Sequence, residues 1–222
     1  MISIPLGEWI EVIINWMNTQ WAPFFNTISA VVGGAIYFLE EVLLSPPSWL
    51  LLPFLAVLAW RLADYKVGLF ALVGLFLVDG VGMWDAAMRT LALVLASALF
   101  ALAVGVPLGI WAARRDTVAN VLRPILDFMQ TMPAFVYLIP AVLFFQLGKV
   151  PGAMATVIFS MPPAVRLTNL GIRQVPEESV EATRAFGGND RQLLFKVQLP
   201  LAMPTILAGV NQTIMLALSM VV

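Results

Sequence analysis

The sequence contains neither cysteine nor histidine. Those two absences remove disulfides, thiol nucleophiles and imidazole bases, and with them nearly all transition-metal sites. They leave the redox compartment open. Charge is scarce as well. Only 11% of the 222 residues are charged, whereas 61% are hydrophobic, and a soluble domain carries about 25% charge. A chain so composed belongs in a bilayer. Its net charge of −1 gives no basic footprint for nucleic acid. No Gly-x-x-x-x-Gly-Lys-Ser/Thr loop occurs, so ATP hydrolysis, where the function requires it, resides on a partner chain. The first Lys or Arg is Arg61, so the basic start of a cleavable signal peptide is missing and none is expected.

What is present reads as a polytopic, all-α membrane protein. Residues 1–47 form an amino-terminal extracytoplasmic or interfacial segment. Within it, Glu8, Glu11, Asn15 and Asn18 fall on one helical stripe, with Trp9, Ile13, Trp16 and Met17 elsewhere, the pattern of a helix lying in the headgroup region. Residues 24–44 are apolar but interrupted by Asn26, Thr27, Ser29, Gly33 and Gly34, and end in Glu40 and Glu41. A second interfacial helix is favoured there, a true span being the alternative. Spans need about 20 apolar residues, and the candidates are 48–64, 67–84, 87–112, 125–147, 152–173 and 201–222. The first two make a short transmembrane hairpin, 48–84, and 85–222 forms the core. Cytoplasmic placement of loops 61–66, 113–124 and 174–199 gathers Arg61, Lys66, Arg114, Arg115, Arg123, Arg184, Arg191 and Lys196 inside. The amino terminus is then outside.

Ser97, Ala101, Gly105 and Gly109 recur every four residues, giving the third span one small face on which another backbone can pack. Pro107, Pro133 and Pro140 predict kinks. Pro162-Pro163 predicts a break in the fifth span. Just beyond it, Arg166 either snorkels to the headgroups, the favoured reading, or pairs with Asp127.

The polar stretch 174–200 stands out between two apolar segments. Pro176 suits a first helical position, and Glu177, Glu178 and Glu181 complement the helix dipole. Val180, Ala182, Ala185 and Phe186 are the apolar remainder of a short helix. Gly187-Gly188 ends it through the left-handed conformation glycine accepts. Asn189 or Asp190 caps a second helix that carries Leu193, Leu194 and Val197. A helix this short is marginal alone in water and needs a surface to lie on. Lipid would serve, but three carboxylates repel an anionic leaflet, so a protein groove is the better partner.

Glu181-Ala182-Thr183, Gly187, and then Val197, Leu199 and Pro200 resemble the EAA loop of ABC importer permeases. Thr183 and Val197 depart mildly from the usual Ala and Ile. Gln130–Pro140, Pro162–Pro176, Lys196–Leu201 and Asn211–Val222 resemble the permease of glycine betaine/proline betaine importers. The resemblance is dense over 85–222 and covers only the general layout before it. It implies the type I ABC importer permease fold, truncated at the carboxyl terminus, since such permeases run on past Val222. It also implies an inner-membrane location, a homodimer of permeases, ABC ATPase subunits that use ATP and Mg, and an extracytoplasmic substrate-binding protein. The chain itself would be no enzyme and need no cofactor or metal. Glu181, Ala182 and Gly187 would be the coupling positions, with Val180, Phe186, Leu199 and Pro200 completing the surface.

A betaine pairs a quaternary ammonium, suited to an aromatic face, with a carboxylate suited to a donor. Phe135 and Tyr137, with the amides of Gln130, Asn169, Asn211 and Gln212, are candidates for the translocation path. Aromatics facing lipid and amides bridging helices are the favoured reading of the same residues. An intramembrane enzyme finds only Asp127, with no Lys or second acid beside it. An ion-coupled carrier or channel for small zwitterions is the alternative, but such carriers often show related halves, and no internal repeat is found here.

Overall fold

The computed structural model describes residues 6–220, and all regular structure among them is helical. The described residues divide into two compact units, one of residues 27–96 and one that joins 6–26 to 97–220.

The smaller unit is built on α2 (Ala22–Leu44), α3 (Ser48–Leu62), α4 (Tyr65–Gly80) and the first turns of α5 (Trp84–Arg114). Helix α2 has the length and apolarity of a membrane span. Leu43 from α2 shares one core with Leu51 and Leu52 of α3 and with Trp84, Met88 and Ala92 of α5. That shared core draws most of α2 into the same unit as the hairpin. The expected hairpin is present. Asp64 caps α4 by accepting the Val67 N–H at 2.9 Å. A Cβ on Gly68 would stand 2.6 Å from Trp60 Cβ, so only glycine lets the two arms approach this closely. At 15 and 16 residues the arms measure about 23–24 Å, less than a hydrocarbon core of about 30 Å.

The larger unit holds α1 (Leu6–Gln20), the rest of α5, α6 (Asp116–Thr131), α7 (Leu138–Phe145), α8 (Lys149–Arg173), α9 (Glu177–Ala185), α10 (Asp190–Leu193) and α11 (Leu199–Met220). Its centre is a seam of α5, α8 and α11 written in small residues. A Cβ on Gly105 would meet Ala164 Cβ at 2.8 Å, and one on Gly109 would meet Thr168 Cβ at 2.6 Å. Equal steps in the same direction make α5 and α8 parallel. Gly171 faces Thr205 and Ala202, whereas Gly209 faces Leu167 and the Pro163 carbonyl. Opposite steps make α8 and α11 antiparallel. Tight backbone approach through small residues is how helices associate without a hydrophobic driving force between them.

Two expectations are corrected. Helix α8 runs unbroken through Pro162 and Pro163, both buried. The neighbouring glycine faces of α5 and α11 grip it on either side of the prolines, and such packing overrides the local tendency to break. The expected span 125–147 is instead a bent pair. Helix α6 begins at Asp116, and the chain turns by 111° before residues 134–145. Met132 sits extended (φ −82°, ψ 139°) because a residue preceding proline disfavours the helical region. Helix α1 forms as expected, its Asn18 amide donating to the Leu143 carbonyl at 3.1 Å, and Phe25 stacks on Phe144 at 4.8 Å. Val221 and Val222, the end of the last expected span, lie outside the described residues.

Candidate coupling surface

Helix α9 follows α8 after Gln174, Val175 and Pro176, and none of its residues is buried. Glu177 and Glu178 occupy its first turn and Arg184 its last, each matched to the nearer end of the dipole. Pro176 sits one place earlier than expected, at the N-cap. The far end is closed by glycine. The Gly187 N–H donates to the Arg184 carbonyl and the Gly188 N–H to the Thr183 carbonyl, both at 2.9 Å, with Gly187 at φ +77°. The two glycines serve different ends. Around Gly187 a Cβ would meet nothing within 4 Å, so its requirement is backbone conformation alone. A Cβ on Gly188 would lie 2.7 Å from the Thr183 carbonyl oxygen, a steric requirement. Phe186, between helix and turn, is 93% exposed.

The second half of the loop is anchored. Asn189 accepts the Gln192 N–H at 2.8 Å, and the Gln192 side chain accepts the Asn189 N–H at 2.9 Å, a reciprocal cap. Leu194 is buried with Ile172 of α8 and Ala202 and Ile206 of α11, against Ile110, Ala113 and Leu199. Residues 194–198 form a π turn in which the Leu199 N–H reaches the Leu194 carbonyl. Pro200 next in line lacks an N–H and crowds the carbonyl four residues back, so a widened turn is the relaxed solution. One half of the loop is therefore bolted to the ends of α5, α8 and α11, and the other stands clear of them.

Glu181, Ala182, Phe186 and Gly187 are exposed on or beside α9, with Val180 half-buried. Leu199 packs into the anchoring cluster, and Pro200 is exposed at the start of α11. A shallow hollow of about 290 Å³ is lined by Thr183, Phe186, Gly187, Gly188, Gln192 and Lys196, with Val197.

The path candidates are scattered. Phe135 and Gln130 are exposed on either side of the bend after α6, and Asn211 and Gln212 are exposed on α11. Tyr137 is buried with Ala141 and Ala155, and its hydroxyl donates to the Met129 carbonyl at 2.5 Å, stapling the bend. Asn169 belongs to a different neighbourhood, a charged cavity of about 370 Å³ between α6 and α8. There Arg166 pairs with Asp127 at 2.5 Å, the reading not favoured from sequence, because α6 starts earlier than expected and brings Asp127 alongside α8. Arg173 donates to Asn169 Oδ1 at 2.8 Å and reaches Asp116 at 2.7 Å.

Residues 105–222 match the family described as the binding-protein-dependent transport system inner membrane component. The chain belongs to this family. The family match takes in the glycines of the α5–α8–α11 seam, the charged cavity and the whole of the 174–200 loop. With four helices among the described residues long and apolar enough to cross a membrane, the chain is an all-helical, multi-pass member of that family. Among curated proteins, the glycine betaine/proline betaine transport system permease protein ProW of Escherichia coli (strain K12) is 50% identical over 219 residues, covering 99% of this chain and 62% of the relative. The glycine betaine transport system permease protein OpuAB of Bacillus subtilis (strain 168) is 52% identical over 223 residues, covering 99% and 78%. The glycine betaine/carnitine transport permease protein GbuB of Listeria monocytogenes is 51% identical over 224 residues, covering 99% and 79%. The chain thus spans less than two thirds of the length of the first of these relatives.

The polar network at this end of the protein differs from the sequence expectation, which places Asp116 in the loop 113–124 and Arg173 at the end of the span 152–173. The four-residue spacing of Asn169 and Arg173 is a helical-neighbour signal that was available, as was the Asn-x-x-Gln pattern of the reciprocal cap.

Proposed function

We propose that this chain is the permease subunit of an ATP-driven ABC importer for quaternary-ammonium osmoprotectants of the glycine betaine, proline betaine and choline class. Two copies pair in the inner membrane. ATPase subunits, which use the ATP and Mg, dock on the cytoplasmic face, and a substrate-binding protein delivers from outside. The 174–200 loop faces the cytoplasm and the amino terminus faces out, as the distribution of Lys and Arg favours.

The observation that carries this reading is α9, an unsupported helix with no buried residue, closed by a glycine turn that presents Phe186 almost fully to its surroundings. An exposed aromatic beside a marginal helix is a costly arrangement unless a partner covers it. An ATPase groove supplies that cover. Glu181 gives the polar contact, Ala182 permits close approach, and Gly187 sets the direction of the exit. Closure of the ATPase pair then biases a two-state membrane element through contacts made at α9. The substrate class rests on the names of relatives at 50–52% identity over nearly the whole chain. Exposed Gln130, Phe135, Asn211 and Gln212 are the path candidates available to a passing zwitterion. Tyr137 and Asn169 keep the bend and the charged end in shape.

The test is reconstitution into liposomes with the partner ATPase and binding protein, followed by uptake of labelled glycine betaine. ATP-dependent, vanadate-sensitive uptake is expected. Uptake that proceeds with no ATPase present would instead indicate the ion-coupled carrier or channel.

A further inference from the structure

Arg173 is the last residue of α8, separated from α9 by only Gln174, Val175 and Pro176. Its guanidinium touches three helices within one compact unit. Nη2 donates to the Ala112 carbonyl in the last turn of α5 at 2.8 Å and lies 2.7 Å from Asp116 Oδ1 in the first turn of α6. Nε donates to Asn169 Oδ1, one turn back on α8, at 2.8 Å. The link onward is short and tight. The Gln174 N–H donates to the Leu170 carbonyl, and the Ser179 and Val180 N–H groups both reach the Pro176 carbonyl, so little slack separates the arginine from the helix.

Stability does not explain this arrangement. The Arg173 and Asp116 side chains are 39% and 82% exposed, and exposed ion pairs contribute little to folding. Direction does explain it. A planar fork holds a carbonyl, a carboxylate and an amide at fixed angles, whereas a lysine ammonium offers three donors whose directions rotate freely. Ala112 and Asp116 flank the corner where α5 gives way to α6 at Arg114-Arg115. That corner is one arm of the unit, and α9 is attached to another.

We infer that Arg173 is the positioning residue that makes the α5–α6 corner follow α9, converting displacement of the coupling helix into movement of the membrane helices. The inference rests on the coupling role proposed for α9. Arg114, at the same corner, faces Asp190 of α10 across 4.0 Å, beyond hydrogen-bond distance.

The experiment uses the complete transporter, with ATPase and binding protein, in proteoliposomes. Uptake of glycine betaine and ATP hydrolysis are measured in the same vesicles for wild type, for the three single variants Arg173→Ala, Arg173→Lys and Asp116→Asn, and for the Arg173→Ala/Asp116→Asn double variant. Expected is near-normal hydrolysis in Arg173→Ala with transport per ATP reduced about tenfold, the scale of typical coupling between sites. Arg173→Lys should fall between it and wild type, Asp116→Asn should lose less, and the Arg173→Ala/Asp116→Asn double variant should be no worse than Arg173→Ala. An unchanged ratio of uptake to hydrolysis in Arg173→Ala overturns the inference. So does a parallel fall of uptake, hydrolysis and folded protein across all three variants, since that marks a purely structural contact. Wild-type protein that shows no ATP-dependent uptake instead removes the coupling reading on which the inference stands, a result distinguishable from either.

Discussion

Replacing Gly187 with alanine isolates one physical quantity. The residue stands at φ +77°, and a Cβ added there meets nothing within 4 Å. The substitution therefore introduces no clash and charges only the left-handed backbone, about 1–2 kcal/mol for a residue with a Cβ. Helix α9 has no buried residue to hold it against that strain. The cheapest relief is loss of the turn, and with it the two 2.9 Å hydrogen bonds from Gly187 and Gly188 that close the helix. A penalty of that size shifts the ratio of intact to opened caps by a factor of about 5–30, and Phe186 loses its fixed presentation to the same extent. Uptake should fall while the amount of protein in the membrane stays at the wild-type level. Gly187→Asn should retain most of the activity, because asparagine tolerates the left-handed region better than other residues. The assay is betaine uptake normalised to membrane-inserted protein, with binding of the isolated ATPase to the permease in nanodiscs as a second readout. Equal losses for alanine and asparagine, or a loss that tracks membrane abundance, would refute the reasoning.

Three further outcomes follow from the packing and the charges. Gly109→Ala places a Cβ 2.7 Å from the Val165 carbonyl, so it should lower thermal stability in detergent by about 1–3 kcal/mol; Gly74→Ala, with open space around it, should be neutral or stabilising by up to about 1 kcal/mol. The Arg166–Asp127 pair is 40% and 59% exposed and contributes about 0–1 kcal/mol to folding, so Arg166→Asp and Asp127→Arg should each reduce uptake more than stability, and the double swap should recover it; a swap no better than either single change argues against the pair having a role. These 222 residues contain no cysteine, so single cysteines at Gln20 and Ser45 report on α2. Labelling of both by an impermeant reagent from outside is expected for an amino terminus placed there, whereas opposite-side labelling would make α2 a span.

Much of the loop was legible because its chemistry is local. A glycine pair after a charged helical stretch, and Asn189 ahead of Leu193 and Leu194, state their geometry within a few residues, and the structure follows them at Gly187 and at the Asn189 cap. The four-residue recurrence of Gly105 and Gly109 likewise specified a face, and α8 packs on it. What failed was tertiary in origin. Pro162 and Pro163 have the same local signature as Pro133, yet only the Met132-Pro133 step interrupts its helix. The difference lies in neighbours, since α8 is gripped by glycine faces on two sides. The early start of α6 was hidden by its composition, because a strongly amphipathic helix rich in Asp, Asn and Arg reads as a loop when only apolar runs are counted. The same composition hides Asp116 as a partner for Arg173 and disfavours Asp127 as a partner for Arg166, although the structure pairs both.

The two halves of the coupling loop differ in a way that bears on how force passes through the protein. Helix α9 alone is soft, since its nine residues are neither buried nor long enough to be stable unaided. The seam it serves is hard. At Gly105, Gly109, Gly171 and Gly209 an added Cβ would come within 3.0 Å of a neighbouring helix, and interiors packed that closely transmit displacement without absorbing it. A soft contact gains rigidity by binding, so α9 becomes an effective lever only while a partner covers it. When the partner leaves, the helix frays and the lever disengages. Transport driven from α9 then requires no separate clutch, because docking itself connects the drive to the membrane helices. Hydrogen exchange on the complete transporter would read this directly: amides of 177–186 should exchange fast in the free permease and slow sharply with the ATPase bound, while those around Gly105 and Gly209 stay protected in both. Strong protection of 177–186 in the free permease would mean the lever is always engaged, and the clutch argument would fail.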